Sequence, residues 1–240
     1  MLKKTVFAVI AVAALAACET VPVSAPPPGS EQAAPVRASA PTLSAQQSAR
    51  SFASVVRTME PIAERECRAR TSGVNCDFKI VVDDRPDQPA NAFQTLDRNG
   101  RPIVAFTLAL IADARNEDEL AFVLGHETAH HIAGHIERTQ QNAVVGAVLS
   151  AGLATLSGGD ASTVRNAQRI GAQVGARRFS KEFELEADAL GTIITARAGY
   201  DPIRGAEFFR RIPDPGNRFL GTHPPNAARI EIVRRTAASL

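Results

Sequence analysis

The sequence predicts an α+β domain that is mostly helical and carries one small antiparallel β-sheet. Apolar residues recur at helical spacing in several separate stretches. One block, residues 78–107, instead holds β-branched runs around an Asn-Gly pair. Residues 44–240 suffice for one domain with a sizeable core, and no internal repeat divides them.

The elements follow in chain order. From Ser44 to about Arg70, the residues Phe52, Val55, Val56, Met59, Ile62 and Ala63 mark one face of a helix. FKIVVDD (78–84) has the β-branched run of a strand. NAFQTL and PIVAFTL flank DRNG, and Asn99-Gly100 is a strong hairpin signal, so 78–107 should form the antiparallel sheet. In NEDE (116–119), Asn116 is the N-cap and Glu119 stands three residues on, a capping-box arrangement. The helix it opens should run from Glu117 to about Arg138. Further helices are expected over Lys181–Ala198, which stops at Gly199 with Pro202 beyond, over Arg204–Ile212, and over Asn226–Ala238. The Ala/Gly-rich stretch 142–176 is too short and interrupted to span a bilayer. Two buried or partly buried helices broken at Gly158-Gly159 are expected there. The second reading is a cover over a site or a membrane-surface contact.

The first seventeen residues read as an export signal: Lys3 and Lys4, then an uncharged and mostly apolar run from Thr5 to Ala17. Leu15-Ala16-Ala17-Cys18 resembles the lipobox of bacterial lipoproteins, which implies lipidation of Cys18 and a membrane anchor. Glu19 in place of Asp resembles the pattern that sorts such proteins to the outer membrane, facing the periplasm. Residues 18–43 include six prolines and read as an extended tether. Cys67 and Cys76 remain as an even pair in an oxidising compartment and are expected to form a disulfide. Loss of Lys3 and Lys4 brings the 27 basic residues level with the 25 acidic ones. With no basic block and few aromatics, nothing points to nucleic acid.

Four of the five histidines lie in ELAFVLGHETAHHIAGH (119–135). Residues four apart on a helix share a face, so His126 and His130 can hold one metal ion between them. Glu127 follows the first of them, placed to act as base on a water at the open side of that ion. This H-E-x-x-H spacing is what zinc-assisted peptide hydrolysis requires, and it makes the expected domain zincin-type with one Zn²⁺ per chain. His131 and His135 form a second i, i+4 pair on other faces, and no acid follows His131; they read as structural, with support of the metal ligands as the second reading. Ala133 and Ile136 exclude the metzincin pattern, so the third ligand must come from elsewhere. SKEFELEADALG (180–191) offers Glu182, Glu184, Glu186 and Asp188. Helical periodicity does not choose among them. Chemistry favours Glu184 as ligand, with Asp188 one turn later to fix a ligand histidine's other nitrogen.

At this point the chain resembles the zinc metallopeptidase family that includes HtpX, BepA, LoiP and the CAAX prenyl endopeptidases, and within it a lipoprotein branch. The resemblance covers about residues 50–235 and rests on NAF (91–93), NEDELAFVLGHETAHHIAGH, FELEADALG, RAGYDP and GTHPPNAARI, in the family's order. It implies that His126, His130 and Glu184 bind zinc, that Glu127 is the general base and that Asp188 supports the site. His223 in THP (222–224) becomes a candidate fourth ligand or transition-state donor. The chain departs from the family where QTLDRNG replaces a Pro-Gly-Gly stretch after NAF. The implied activity is endoproteolysis of unfolded or misassembled envelope proteins, with substrate extended along the strand around Ile103–Thr107. The alternative is a latent, zinc-bound, chaperone-like adaptor working with outer-membrane assembly machinery.

Overall fold

A computed structural model describes residues 44–218 and 221–240. The candidate leader, Cys18 and all of the tether up to residue 43 lie outside the described residues. The elements below belong to one unit, Ala40–Leu240.

Helix α1 (Ala45–Arg70) begins as expected at Ser44, whose hydroxyl accepts the Gln47 N–H while the Gln47 side chain accepts the Ser44 N–H. Its buried stripe of Val55, Met59, Ala63 and Cys67 faces the core. At its end, Cys67 and Cys76 stand with Cα atoms 5.7 Å apart and their sulfurs at bonding distance.

Strands β1 (Lys79–Asp83), β2 (Ala92–Leu96) and β3 (Pro102–Thr107) make the sheet, in the order β1–β3–β2. The β2–β3 hairpin forms as expected, with Phe93 opposite Ala105 and Gly100 at φ +76° in the turn. The sheet is nevertheless mixed, because β1 runs parallel to β3 from Lys79↔Ile103 to Asp83↔Thr107. Burial is the reason. β3 carries Val104, Ala105 and Phe106, all buried, and takes the centre, while the less buried β1 and β2 become the edges. A central strand has no free edge, so the expected substrate position along Ile103–Thr107 is excluded; β2 has a strand neighbour on one side only among the described residues.

Thr107 caps a short helix α2 (Leu108–Asp113), accepting the Leu110 N–H. Helix α3 (Glu117–Ile132) has Asn116 as its N-cap, accepting the Glu119 N–H at 3.0 Å. The Glu119 carboxylate does not close the box on Asn116. It accepts the Arg115 N–H and pairs with Arg211 instead. The expected run to Arg138 is broken: Gly134 adopts φ +65°, and a new helix α4 (His135–Leu156) starts there. Helix α5 (Ala161–Arg177) follows the turn at Gly158, which has φ +75°. Helix α6 (Ser180–Arg197) ends before Gly199, which has φ +86°. The expected third helix is a short α7 (Pro202–Gly205) running into a 3₁₀ turn over Ala206–Arg210. Helix α8 (Asn226–Ala237) closes the chain.

Two contacts determine where the functional groups stand. A Cβ on Gly125 of α3 would lie 2.8 Å from the Gly191 carbonyl oxygen, and one on Gly191 of α6 would lie 2.8 Å from the His126 nitrogen. Only glycines allow the two backbones so close, and that approach brings the acids of α6 to the histidine face of α3. In α4 and α5 the same device works differently. Gly146, Gly171 and Gly175 put the two helices in backbone contact. In α4 only His135 is buried, and in α5 only Gly171 and Gly175 are. The expected break at Gly158-Gly159 is found and the helices are partly buried, but full burial is not: glycine pairing leaves little room between them, and the valines and leucines face outward.

Candidate metal centre

Helix α3 presents His126 and His130 on one face, their Nε2 atoms 3.0 Å apart. Glu184 of α6 faces them, with Oε2 3.7 Å from His126 Nε2 and Oε1 3.4 Å from His130 Nε2. Among the described residues, these three form a cluster whose ligand atoms all lie within 4.8 Å of one another. Of the four acids competing on α6, Glu184 is the one brought to the pair. Asp188 lies behind His126, Glu186 lies behind His135, and Glu182 is exposed.

The other ring nitrogens decide which way the lone pairs point. His126 Nδ1–H donates to Asp188 Oδ1 at 2.9 Å. Behind His130 stands His135, Nδ1 to Nδ1 at 2.8 Å. His135 Nε2 lies 3.2 Å from Glu186 Oε2, an acceptor, so the His135 proton is on Nε2. His135 Nδ1 is then an acceptor, and His130 Nδ1–H donates to it. This assignment comes from the hydrogen-bond network. Both ligand-type histidines are thereby held with Nε2 unprotonated and aimed at one point beside a carboxylate, a donor set that fits a borderline divalent cation. His135, read first as structural, takes the second reading and backs His130. His131 does bond backbone, with Nε2 2.7 Å from the Asn75 carbonyl oxygen.

The surroundings keep the carboxylate of that donor set charged. Burial would raise the Glu184 carboxyl, but the adjacent His130 imidazole, a hydrogen bond from His223 and the nearby His126 and Arg229 hold it well below the usual range. His135 is pushed down to about 4, first by burial and then by the adjoining His130, so it stays neutral and able to accept. Asp188 is fully buried. Its partner is Arg229 of α8, which donates from Nε and Nη2 to the two oxygens at 2.7 Å each and lies over the Phe209 ring. Burial would raise Asp188, yet Arg229 keeps it charged. The 3.2 Å approach of Arg229 Nη2 to His126 Nδ1 is a contact between two donors on the same carboxylate.

Arg229 was given no role from the sequence. The signal was present: Asn226, Arg229 and Val233 recur at i, i+3 and i+7 as the buried stripe of α8, and an arginine on such a stripe needs a buried acid.

The centre opens into a cavity of about 900 Å³. Glu127 lines it, half-buried, one residue after His126. His223, on the exposed segment before α8, lines it too, its Nδ1 3.0 Å from Glu184 Oε2. Asn91, Ala92 and Phe93 of the β2 side form another wall.

Two histidines one turn apart, a glutamate from a second helix and a glutamate beside the first histidine define the metallopeptidase class whose site is built from His₂Glu. The class narrows to a family: residues 49–237 match Peptidase family M48, and the chain belongs to it. It is similar to the beta-barrel assembly-enhancing protease of Yersinia pestis, with 32% identity over 182 residues, covering 67% of this chain and 34% of the relative. The protein of that name from Escherichia coli O157:H7 is 31% identical over 142 residues, 54% of this chain and 29% of the relative. The mitochondrial metalloendopeptidase OMA1 of Saccharomyces cerevisiae is 29% identical over 169 residues, 66% of this chain and 46% of the relative. The chain thus spans less than half the length of each of these relatives.

Proposed function

We propose that this chain is a zinc-dependent endopeptidase of the bacterial cell envelope that hydrolyses peptide bonds in misfolded or misassembled envelope proteins. The observation that carries this reading is the convergence of His126 Nε2, His130 Nε2 and Glu184 on one point at the wall of a peptide-sized cavity. In this reading Cys18 is lipidated, residues 18–43 tether the domain of residues 44–240 to the outer membrane on its periplasmic side, and Cys67–Cys76 is a structural disulfide.

His126, His130 and Glu184 would hold the zinc, and Asp188 and His135 would orient the two imidazoles. When bound, zinc supplies Lewis acidity toward a peptide carbonyl and makes water acidic enough to ionise near neutral pH. Glu127 takes the proton of the attacking water and delivers it to the departing amine. His223 donates a hydrogen bond to the oxyanion that develops on the carbonyl oxygen. The outer edge of β2, half-buried beside the cavity and without a strand partner among the described residues, offers main-chain groups to an extended substrate. Pairing through main chain tolerates many side chains, which suits unfolded clients, and relatives named as beta-barrel assembly-enhancing proteases support that class of client.

The Glu127→Gln variant tests the reading. It should bind one zinc per chain as the parent does and lose cleavage of an unfolded casein-like substrate, which a chelator should also stop in the parent. Cleavage by the variant at the parental rate would refute the role of Glu127. A second reading, the latent adaptor, draws on the His223–Glu184 contact, through which the His223 segment leans on the centre.

A further inference from the structure

Among the described residues, eight of the fourteen exposed large hydrophobic side chains lie on α4 and α5. Six are on α4: Val144, Val145, Val148, Leu149, Leu153 and Leu156, each more than half exposed. At 3.6 residues per turn they spread over about half of the helix circumference, beside the row of Asn142, Gly146 and Ser150 that meets α5. No charged residue occurs between Arg138 and Asp160. From Ala161 to Lys181 the charges are all positive: Arg165, Arg169, Arg177, Arg178 and Lys181. A helix that is uncharged and apolar beyond Arg138 is therefore coupled, backbone to backbone, to a helix that carries only cations. No helix among the described residues is long and apolar enough to cross a membrane.

We infer that the α4–α5 hairpin docks on an anionic lipid bilayer, with the outer side of α4 seated at the boundary between headgroups and acyl chains and the α5 arginines on lipid phosphates. An apolar face beside a basic one, without the length to span, is the composition of an element that lies in the interface plane. Charge complementarity selects the occupant. A second copy of this chain would bring the same arginines, with no acid between Ala161 and Lys181 to meet them, whereas an anionic leaflet presents phosphates across its whole surface. Ile136, Thr139 and Gln140, in the first turns of α4, line the cavity of the candidate centre. Seating the far end of that helix therefore holds the centre beside the membrane. The inference concerns a surface outside the metal centre and stands whether or not the peptidase reading does.

The chain contains no tryptophan, so a single one introduced by substitution reports its own surroundings. Leu153→Trp in the full mature chain would be mixed with vesicles of phosphatidylethanolamine and phosphatidylglycerol carrying brominated acyl chains. Because the readout is quenching at residue 153, lipid on Cys18 cannot produce it alone. Emission should shift to the blue and fall by about half, as expected for a side chain set 5–10 Å into the boundary. Val148→Trp should respond alike, while Val82→Trp on β1 should not. Adding Arg165→Glu and Arg169→Glu to Leu153→Trp should abolish the quenching. Unquenched Leu153→Trp and Val148→Trp would overturn the proposal. So would a blue shift that grows with protein concentration in the absence of lipid, which would assign the face to a second copy.

Discussion

His135 offers a sharp test of how the centre is held. Replacing it with Phe keeps a flat ring against Phe183, on which His135 stacks at 4.6 Å, and removes the nitrogen that receives the His130 Nδ1–H at 2.8 Å. His130 is then left with an unpartnered donor and a freer ring. Leaving a buried donor unsatisfied costs about 1–3 kcal/mol. Partners behind metal-ligating histidines contribute about 10–100-fold to metal affinity, or about 1.4–2.8 kcal/mol. The two routes to the magnitude agree, so His135→Phe should weaken zinc binding by about 10–100-fold. The assay is competition for zinc against a chelator of known affinity, with thermal melts of the metal-free proteins alongside. His135→Gln should recover most of the affinity, because its amide oxygen can accept from His130 while its NH₂ donates to Glu186. Unchanged zinc affinity in His135→Phe would refute the positioning role, whereas a parent chain that binds no zinc would instead undo the functional reading.

Two further outcomes follow from other contacts. His223→Ala should leave zinc stoichiometry intact and lower kcat by about 100-fold with little change in KM, as for loss of one oxyanion donor; a rise in proteolysis would favour the latent adaptor. Arg211 pairs with Glu119, which is only 2% exposed, so Arg211→Ala strands a buried carboxylate. That should cost about 3–5 kcal/mol and lower Tm by roughly 6–20 °C in a domain of this size, read by calorimetry. A fall of less than about 2 °C would show that water reaches Glu119 and replaces the arginine.

The part of the site legible in the sequence is the part set by local geometry. His126 and His130 share a face because any helix places residues four apart together, and Glu127 comes with them. Even the choice of Glu184 over its neighbours, left open by periodicity, followed from what a metal-bound imidazole needs behind it. What escaped was decided between elements. On an unbroken helix, five residues would set His135 about 140° around from His130, out of reach. Gly134 at φ +65° ends α3, and the new helix swings His135 in behind His130. Likewise the hairpin signal at Asn99-Gly100 fixes β2 against β3 but says nothing about which neighbour takes the other side. Competition for burial put Phe106 and Val104 in the middle of the sheet and left β1 and β2 at its edges among the described residues. Periodicity also identified helices in the Ala/Gly-rich stretch, yet it could not tell that their small residues would pair with each other and turn Val148 and Leu153 outward. In each case the residue types were visible and the partner was not: a glycine allows a close approach or a reversal without naming what it meets. The same limit explains Arg229, whose place is set by an acid forty-one residues earlier. Its buried stripe was readable, and Asp188 was already suspected of backing His126, so the rule to carry forward is to seek a cation for any acid placed behind a ligand.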